Sequence, residues 1–231
     1  MQVVSQEKWI AERRSLLEDE KRLLRLRDEV SSKRRSLPWV EIQKDYKFKT
    51  QQGEQDLREL FGQNSQLILY HFMFGDGWGE GCPSCSFWAD SFDGMAVHLD
   101  ARDASFVVAS NAPLDQLLAY QERMGWNFNW VSSFQTDFNY DFRVSFSDEQ
   151  IANQEKAYNY GNNAFPSKEA PGISVFNRVD DVVFHTYSCF SRGLDNMNPV
   201  YQYLDLLPKG RDEDTLPHPM SWVRRHDRYG S

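Results

Sequence analysis

Apolar and charged positions alternate with a helical period over the first 35 residues. The apolar positions recur every seven residues, with neighbours that widen the stripe: Trp9, Leu16, Leu17, Leu23, Leu24 and Val30. This spacing predicts an amphipathic helix over about residues 5–35, which Pro38 ends. Since an isolated amphipathic helix gains most of its stability from packing, we expect this arm to lie on the body of the protein or on a second subunit.

The body shows shorter periodic segments after the arm and its linker, residues 1–45. Alternation at 46–50 predicts a strand, residues 56–61 a short helix, and the almost wholly apolar run of eight residues at 67–74 a central strand covered on both faces. The further predicted elements are a helix with apolar positions from Trp88 to Leu99, a strand at 105–110, a helix from 113 to about 124, strands at 172–176 and 182–187, and a helix at 199–207.

This order of elements predicts an α/β fold with a thioredoxin-like central mixed sheet flanked by helices and an N-terminal helical arm. A parallel βαβα unit comes first, and two antiparallel strands and a closing helix follow. The thioredoxin-like domain is expected to span residues 46–207. Within it, the polar residues near 146–170 are expected to form an insertion, and residues 208–231 a tail.

Charge and hydropathy narrow the class of protein. The net charge is -8, with +4 over residues 1–49 and -12 over residues 50–231. An acidic body argues against a nucleic-acid partner, because phosphate binding depends on Lys and Arg. The sequence has no run of 18 apolar residues and no signal-peptide pattern at its start, so we expect a cytoplasmic protein without a membrane partner.

The cysteines carry the candidate chemistry. Three are too few for a secreted disulfide framework, so Cys82 and Cys85, three positions apart, suggest redox or metal chemistry. A cysteine at the start of a helix faces unpaired backbone N–H groups, which lower its pKa and favour the thiolate. Cys82 is therefore the expected attacking thiol, and Cys85 the resolving thiol one turn later. Pro83 suits an early helical position.

Two other interpretations of the cysteine pair remain open. The pair could be reduced and inert, or it could be half of a zinc site completed by Cys189 and one histidine. The chain offers no second CxxC pair. The apolar neighbour Phe190 favours the interpretation of Cys189 as a small buried thiol over that of a third redox partner.

Several further residues are candidates for substrate contact. Trp78 stands in a glycine-rich stretch, 75–81, which we interpret as a flexible lip over the cysteines. Pro83 and Ser84 lie between them. His185 comes late in a strand that could approach the cysteine pair. The position of His71 in the central strand favours a buried, structural histidine over a catalytic base.

Segments along most of the chain resemble a known family, the thioredoxin-like proteins catalogued as domain of unknown function 899. The segments that carry the resemblance are 61–62, 66–74, 81–87, 123–126, 130–133, 185–188, 192–195 and 203–206, together with the arm from Trp9 to Val40. The resemblance implies a thioredoxin-like fold and says little about activity, because the function of the family is inferred from its fold.

The chain departs from better-known relatives at two points. Thioredoxin has Gly-Pro between its cysteines, whereas this chain has Pro83-Ser84, a change expected to shift the redox poise. Thioredoxins also place a cis-proline beside the cysteines, directly before a strand. Pro171, before Gly172, is an offset match to it and a further candidate for substrate contact.

We therefore expect a thiol-disulfide oxidoreductase that acts on an oxidised protein or a small-molecule disulfide, with no cofactor or metal. A non-catalytic binding or scaffold protein that self-associates through the N-terminal helix is the alternative. A thiol peroxidase is disfavoured, since the residues before Cys82 lack the Ser or Thr, three positions upstream, that such an enzyme uses.

Overall fold

The computed structural model describes residues 2–230. The chain divides into two compact units, Met1–Trp39 and Val40–Ser231. The first contains one long helix, α1 (Gln6–Arg35), whose N-cap Ser5 accepts a hydrogen bond from the Lys8 amide at 3.3 Å. Lys33, Arg34 and Arg35 occupy its last turn, where positive charge offsets the helix dipole. The predicted helical arm is confirmed.

The second unit is built on one sheet. In the described residues its strands are β1 (Val40–Glu41), β2 (Lys47–Thr50), β3 (Gly53–Asp56), β4 (Gln66–His71), β5 (Ala104–Ser110), β6 (Asn129–Ser132), β7 (Gly172–Val179) and β8 (Val182–Phe190). Their order is β1-β8-β7-β4-β5-β6-β2-β3. The strands β4, β5 and β6 are parallel, and β7 and β8 are antiparallel to their neighbours.

Helices connect and cover these strands. They are α2 (Pro83–Ala89), α3 (Phe92–Asp100), α4 (Leu114–Met124), α5 (Phe138–Asp141), α6 (Asp148–Ala152) and α7 (Pro199–Leu204), with short 3₁₀ turns at Glu59–Phe61, Ser191–Met197 and His226–Arg228. The order β8-β7-β4-β5, with β4 and β5 parallel and joined through helices, is the strand arrangement of the thioredoxin fold. The predicted fold class is confirmed.

Alternation along β4 separates two cores. Tyr70 points to a cluster that includes Cys85, Trp88 and Phe92. Leu69 and His71 point to the opposite face, where Leu69 packs in a cluster with Phe48, Phe61 and Phe138 and the His71 ring stacks on Phe138. Because successive strand residues face opposite sides, the thiols and His71 are separated by the sheet.

Some predicted elements differ from the structure. The predicted helix at 56–61 is wrong in its first part, since Asp56 ends a strand that forms a hairpin with β2. The helix after the cysteines is interrupted at residues 90–91 and continues as α3. The sequence pattern does not predict β6, because its four residues follow the turn at Gly125 too closely to show a period of their own.

Candidate dithiol site at the start of α2

Cys82 lies at the N-cap of α2, with Pro83 at the first helical position. Its side chain is partly buried. Its amide donates to the Met73 carbonyl at 3.1 Å, which ties the start of the helix to the chain that leaves β4. The carboxyl ends of parallel strands form the edge where α/β proteins place their sites, and the thiol is at this edge.

The surroundings of Cys82 favour its ionised form. A hydrogen bond from the Cys85 thiol lowers the pKa of Cys82 to about 6, and the backbone amides of Cys85 and Ser84 act in the same direction against the cost of burial. The hydroxyl of Ser84 contributes as well. This sulfur can therefore act as a nucleophile near neutral pH.

Cys85 has the opposite character. Its side chain is buried among Tyr70, Trp88 and Ala89. Burial raises the pKa of the Cys85 thiol well above its ordinary value, and the neighbouring Cys82 acts in the same direction. The Met73 amide donates to its sulfur at 3.4 Å, and the buried Tyr70 hydroxyl is also hydrogen-bonded to it. Cys85 thus remains a protonated thiol that donates to the Cys82 sulfur.

The loop before Cys82 is closely packed. A side chain at Gly81 would bring its Cβ within 2.7 Å of the Phe72 ring and 2.8 Å of the Tyr120 ring, so only glycine fits there. Glu80 is surrounded by three arginines, Arg123, Arg225 and Arg228. The end of the stretch predicted to be a flexible lip, Glu80 and Gly81, is therefore held in place by ion pairs and packing.

Trp78, Pro83 and Ser84 lie on the chain next to the thiols, as their sequence positions require. The Trp78 indole is partly buried and packs over Gly75, close to Glu169.

Glu169 is a buried carboxyl that accepts hydrogen bonds from Ser145 at 2.6 Å and Asn111 at 3.0 Å. Burial raises the pKa of Glu169 to about 7. No sequence pattern marked it.

Pro171 immediately precedes β7. Its carbonyl accepts a hydrogen bond from the Tyr158 hydroxyl at 2.7 Å, and its peptide bond is trans. Tyr158 belongs to the polar segment predicted as an insertion, yet its side chain is buried. The segment therefore packs on the start of β7 and on Ser191, whose amide donates to the same hydroxyl at 2.8 Å.

His185 does not join the thiols, which corrects the expectation that it could contact substrate there. It packs against Phe142 and Phe176 on the opposite face of the sheet. A hydrogen-bonded chain connects it to His71 through two serines: His185 to Ser188 at 2.7 Å, Ser188 to Ser174 at 2.8 Å, and Ser174 to His71 at 2.8 Å. Burial lowers the pKa of His71 to about 3, so this imidazole is neutral.

Residues 2–230 contain no group of three or more His, Cys, Asp or Glu side chains arranged to hold a metal ion. Within the same range, no helix combines the length and the apolar character needed to cross a bilayer.

Strand order and a CxxC pair at the start of the first sheet-covering helix define a thioredoxin-fold protein with two neighbouring thiols. The chain belongs to the family described as "Bacterial protein of unknown function (DUF899)", whose model matches residues 1–229. The resemblance seen in the sequence is thereby confirmed. A search of curated proteins found no match.

Solved structures with similar architecture include the following three. Peroxidoxin BcpB from Mycobacterium tuberculosis is 16% identical, over 70% of this chain and 93% of that chain, with a TM-score of 0.48. A peroxiredoxin Q structure from Xanthomonas campestris is 11% identical, over 71% of this chain and 93% of that chain, with a TM-score of 0.46. A protein described as thiol:disulfide interchange protein DsbE, from Chlorobium tepidum, is 13% identical, over 72% of this chain and 94% of that chain, with a TM-score of 0.43.

Proposed function

We propose that this protein is a dithiol-disulfide oxidoreductase in which Cys82 attacks and Cys85 resolves. One observation carries the proposal: two thiols in hydrogen-bond contact have opposite environments, one partly exposed at a helix N-cap and one buried. An attacking thiol works best when its pKa is near the ambient pH, and a resolving thiol needs proximity more than exposure.

The reaction transfers two electrons to the substrate. The Cys82 thiolate attacks one sulfur of a substrate disulfide, forms a mixed disulfide, and releases the other sulfur as a thiolate that takes up a proton. Cys85 then loses its proton and attacks the Cys82 sulfur, which forms the Cys82–Cys85 disulfide and releases the second substrate sulfur. The substrate is reduced, the protein is oxidised, and an external thiol or dithiol restores it.

We infer an oxidised protein or a small-molecule disulfide as substrate, and a cytoplasmic setting. A dithiol that acts as a reductant needs a compartment in which thiols are kept reduced, which in bacteria is the cytoplasm. The proposal gives no role to nucleic acid, membrane, metal or cofactor.

Self-association through α1 is a second part of the proposal. The helix carries large exposed apolar side chains, among them Trp9, Leu16, Leu23 and Val30. A row of such residues on a 30-residue helix favours contact with another apolar surface. We infer that α1 pairs with its copy in a second chain.

Trapping a mixed disulfide tests the proposed reaction. Cys85→Ser removes the resolving thiol, so the protein should accumulate as a mixed disulfide with an oxidised substrate such as insulin. Cys82→Ser should abolish insulin reduction, whereas the matched control Cys189→Ser should retain it. If the wild type does not reduce insulin and the Cys85→Ser variant forms no adduct, the scaffold alternative replaces this proposal.

A further inference from the structure

The C-terminal residues pack beside the helix that carries the thiols. Trp222 contacts Phe87 of α2, with ring centroids 5.5 Å apart, and Val223 is buried. His226 lies 2.6 Å from Asp90, which directly follows α2. The segment predicted as a tail is therefore a packed part of the second unit and borders the dithiol site.

Arg225 is the residue of this segment that reaches the loop before Cys82. Its Nη2 donates to the Gly81 carbonyl at 2.6 Å and its Nη1 lies 2.8 Å from the Glu80 carboxylate. Its side chain is 15% exposed, so these contacts are shielded from water. A guanidinium has five donors in a planar fork, and the two Nη groups of Arg225 reach two adjacent residues of one loop.

A second route leads from Arg225 to Cys82 itself. Its Nε donates to the Tyr120 hydroxyl at 3.0 Å, this hydroxyl pairs with the Ser86 hydroxyl at 2.9 Å, and Ser86 donates to the Cys82 carbonyl at 2.9 Å. Each hydrogen bond in such a chain polarises the next, and a cation at its start strengthens the effect.

Both peptide groups that flank Cys82 are consequently fixed. The Gly81–Cys82 peptide is held at its oxygen by Arg225 and at its N–H by the Met73 carbonyl. The Cys82–Pro83 peptide is held at its oxygen by the Ser86 hydroxyl and the Ser86 amide. Without Arg225, the carbonyl of the buried Gly81 would lose its charge-assisted hydrogen-bond partner, and the peptide before Cys82 would be held less firmly.

We propose that Arg225 is a positioning residue of the dithiol site, which holds the Gly81 carbonyl and Glu80 so that the Cys82 sulfur faces the amides at the start of α2. The proposal rests on the proposed function, since positioning has a consequence only if Cys82 is the attacking thiol. Arg225, about 140 positions downstream of the cysteines, thereby becomes part of their site.

The test compares two neighbouring arginines in the full-length protein. Arg225→Gln removes the fork, while Arg224→Gln makes the same charge change at an exposed position. We expect Arg225→Gln to raise the pKa of Cys82 by about one unit, which is about a tenfold loss of thiolate at pH 5 and of iodoacetamide reactivity there. Arg224→Gln should leave both unchanged, and Arg225→Lys should recover part of the loss.

Two further measurements separate positioning from folding and from the function itself. Tyr120→Phe removes the second route without a change of charge, so it should shift the pKa of Cys82 in the same direction by a smaller amount, and it carries the test if Arg225→Gln does not fold. If Cys82 is reactive in the wild type and equally reactive in Arg225→Gln and Tyr120→Phe, the positioning role is contradicted. If Cys82 is unreactive in the wild type, the proposed function fails instead.

Discussion

At the scale of the residue, two cysteines one helical turn apart become chemically different because only one of them is inside the core. Cys82 faces backbone amides at the helix start, while Cys85 lies beneath it beside Tyr70. Each thiol reinforces the other, because the buried one stays protonated and donates to the ionised one. The difference between the two thiols is a consequence of their positions in the helix.

The tightest constraint on this geometry is Gly81. Gly81→Ala would place a methyl group 2.7 Å from Phe72 and 2.8 Å from Tyr120, so rings in the core must move. We expect a loss of about 1–3 kcal/mol in the free energy of unfolding, measured by urea denaturation. Gly79→Ala is the matched control, since an added Cβ there meets no atom within 4 Å. Equal stability of the two variants would contradict the packing described for the loop.

At the scale of the element, the sheet keeps two groups of polar residues apart. Strand β4 turns Tyr70 towards the thiols and His71 towards Ser174 on β7. The chain of hydrogen bonds continues to Ser188 on β8, so it joins three neighbouring strands. Its position, buried and remote from Cys82, indicates a role in the stability of the sheet.

Ser174→Ala tests this separation. The variant leaves the buried His71 Nε2 and the Ser188 hydroxyl without their shared partner, and among the described residues His71 Nδ1 already has no hydrogen bond. We expect a loss of about 1–3 kcal/mol in the free energy of unfolding. The alkylation rate of Cys82 should stay as in the wild type, with exposed Ser221→Ala as the control for stability. A changed alkylation rate would show that the two faces are coupled.

At the scale of the whole molecule, the dithiol site draws on segments far apart in the sequence. The loop before α2, Tyr120 of α4 and Arg225 near the C-terminus meet at Gly81. The polar segment predicted as an insertion also contributes, since Glu169 and Tyr158 are buried near the same end of the sheet.

The sequence was sufficient for the fold class and for the pair of cysteines, because both depend on local signals. The apolar run of β4 and the helical period of α1 predict their elements directly. Arg225 and Glu169 could not be predicted, since a single charged residue in a polar segment gives no periodic signal and its partners are set by tertiary packing. The side of the sheet on which His185 lies could not be predicted either, because it depends on the register between strands, and β7 and β8 shift register between Val175 and Phe176.

Self-association is a prediction at this scale. If α1 pairs with its copy, light scattering on the full chain should give the mass of a dimer. Leu16→Glu with Leu23→Glu places charge in the apolar stripe and should reduce that mass to one chain of 27.1 kDa. Glu18→Gln with Arg25→Gln, which changes charged positions of the same helix, is the control. A monomeric wild type would contradict pairing through α1.

The pH dependence of Cys82 alkylation is the sharpest test of the proposal that Cys82 is held as a thiolate beside a protonated Cys85. The pKa of Cys82 in the fold is about 6, below the free value of about 8.5. Ionisation of Cys82 therefore stabilises the reduced fold. This stabilisation is complete above about pH 8.5 and is lost as the pH falls through about 6. Iodoacetamide labelling of the reduced native protein, located by mass spectrometry, should therefore occur at Cys82 with a midpoint near pH 6, while Cys85 and Cys189 stay unlabelled. A midpoint near pH 8.5, or equal labelling of the three cysteines, would show that the fold does not activate Cys82.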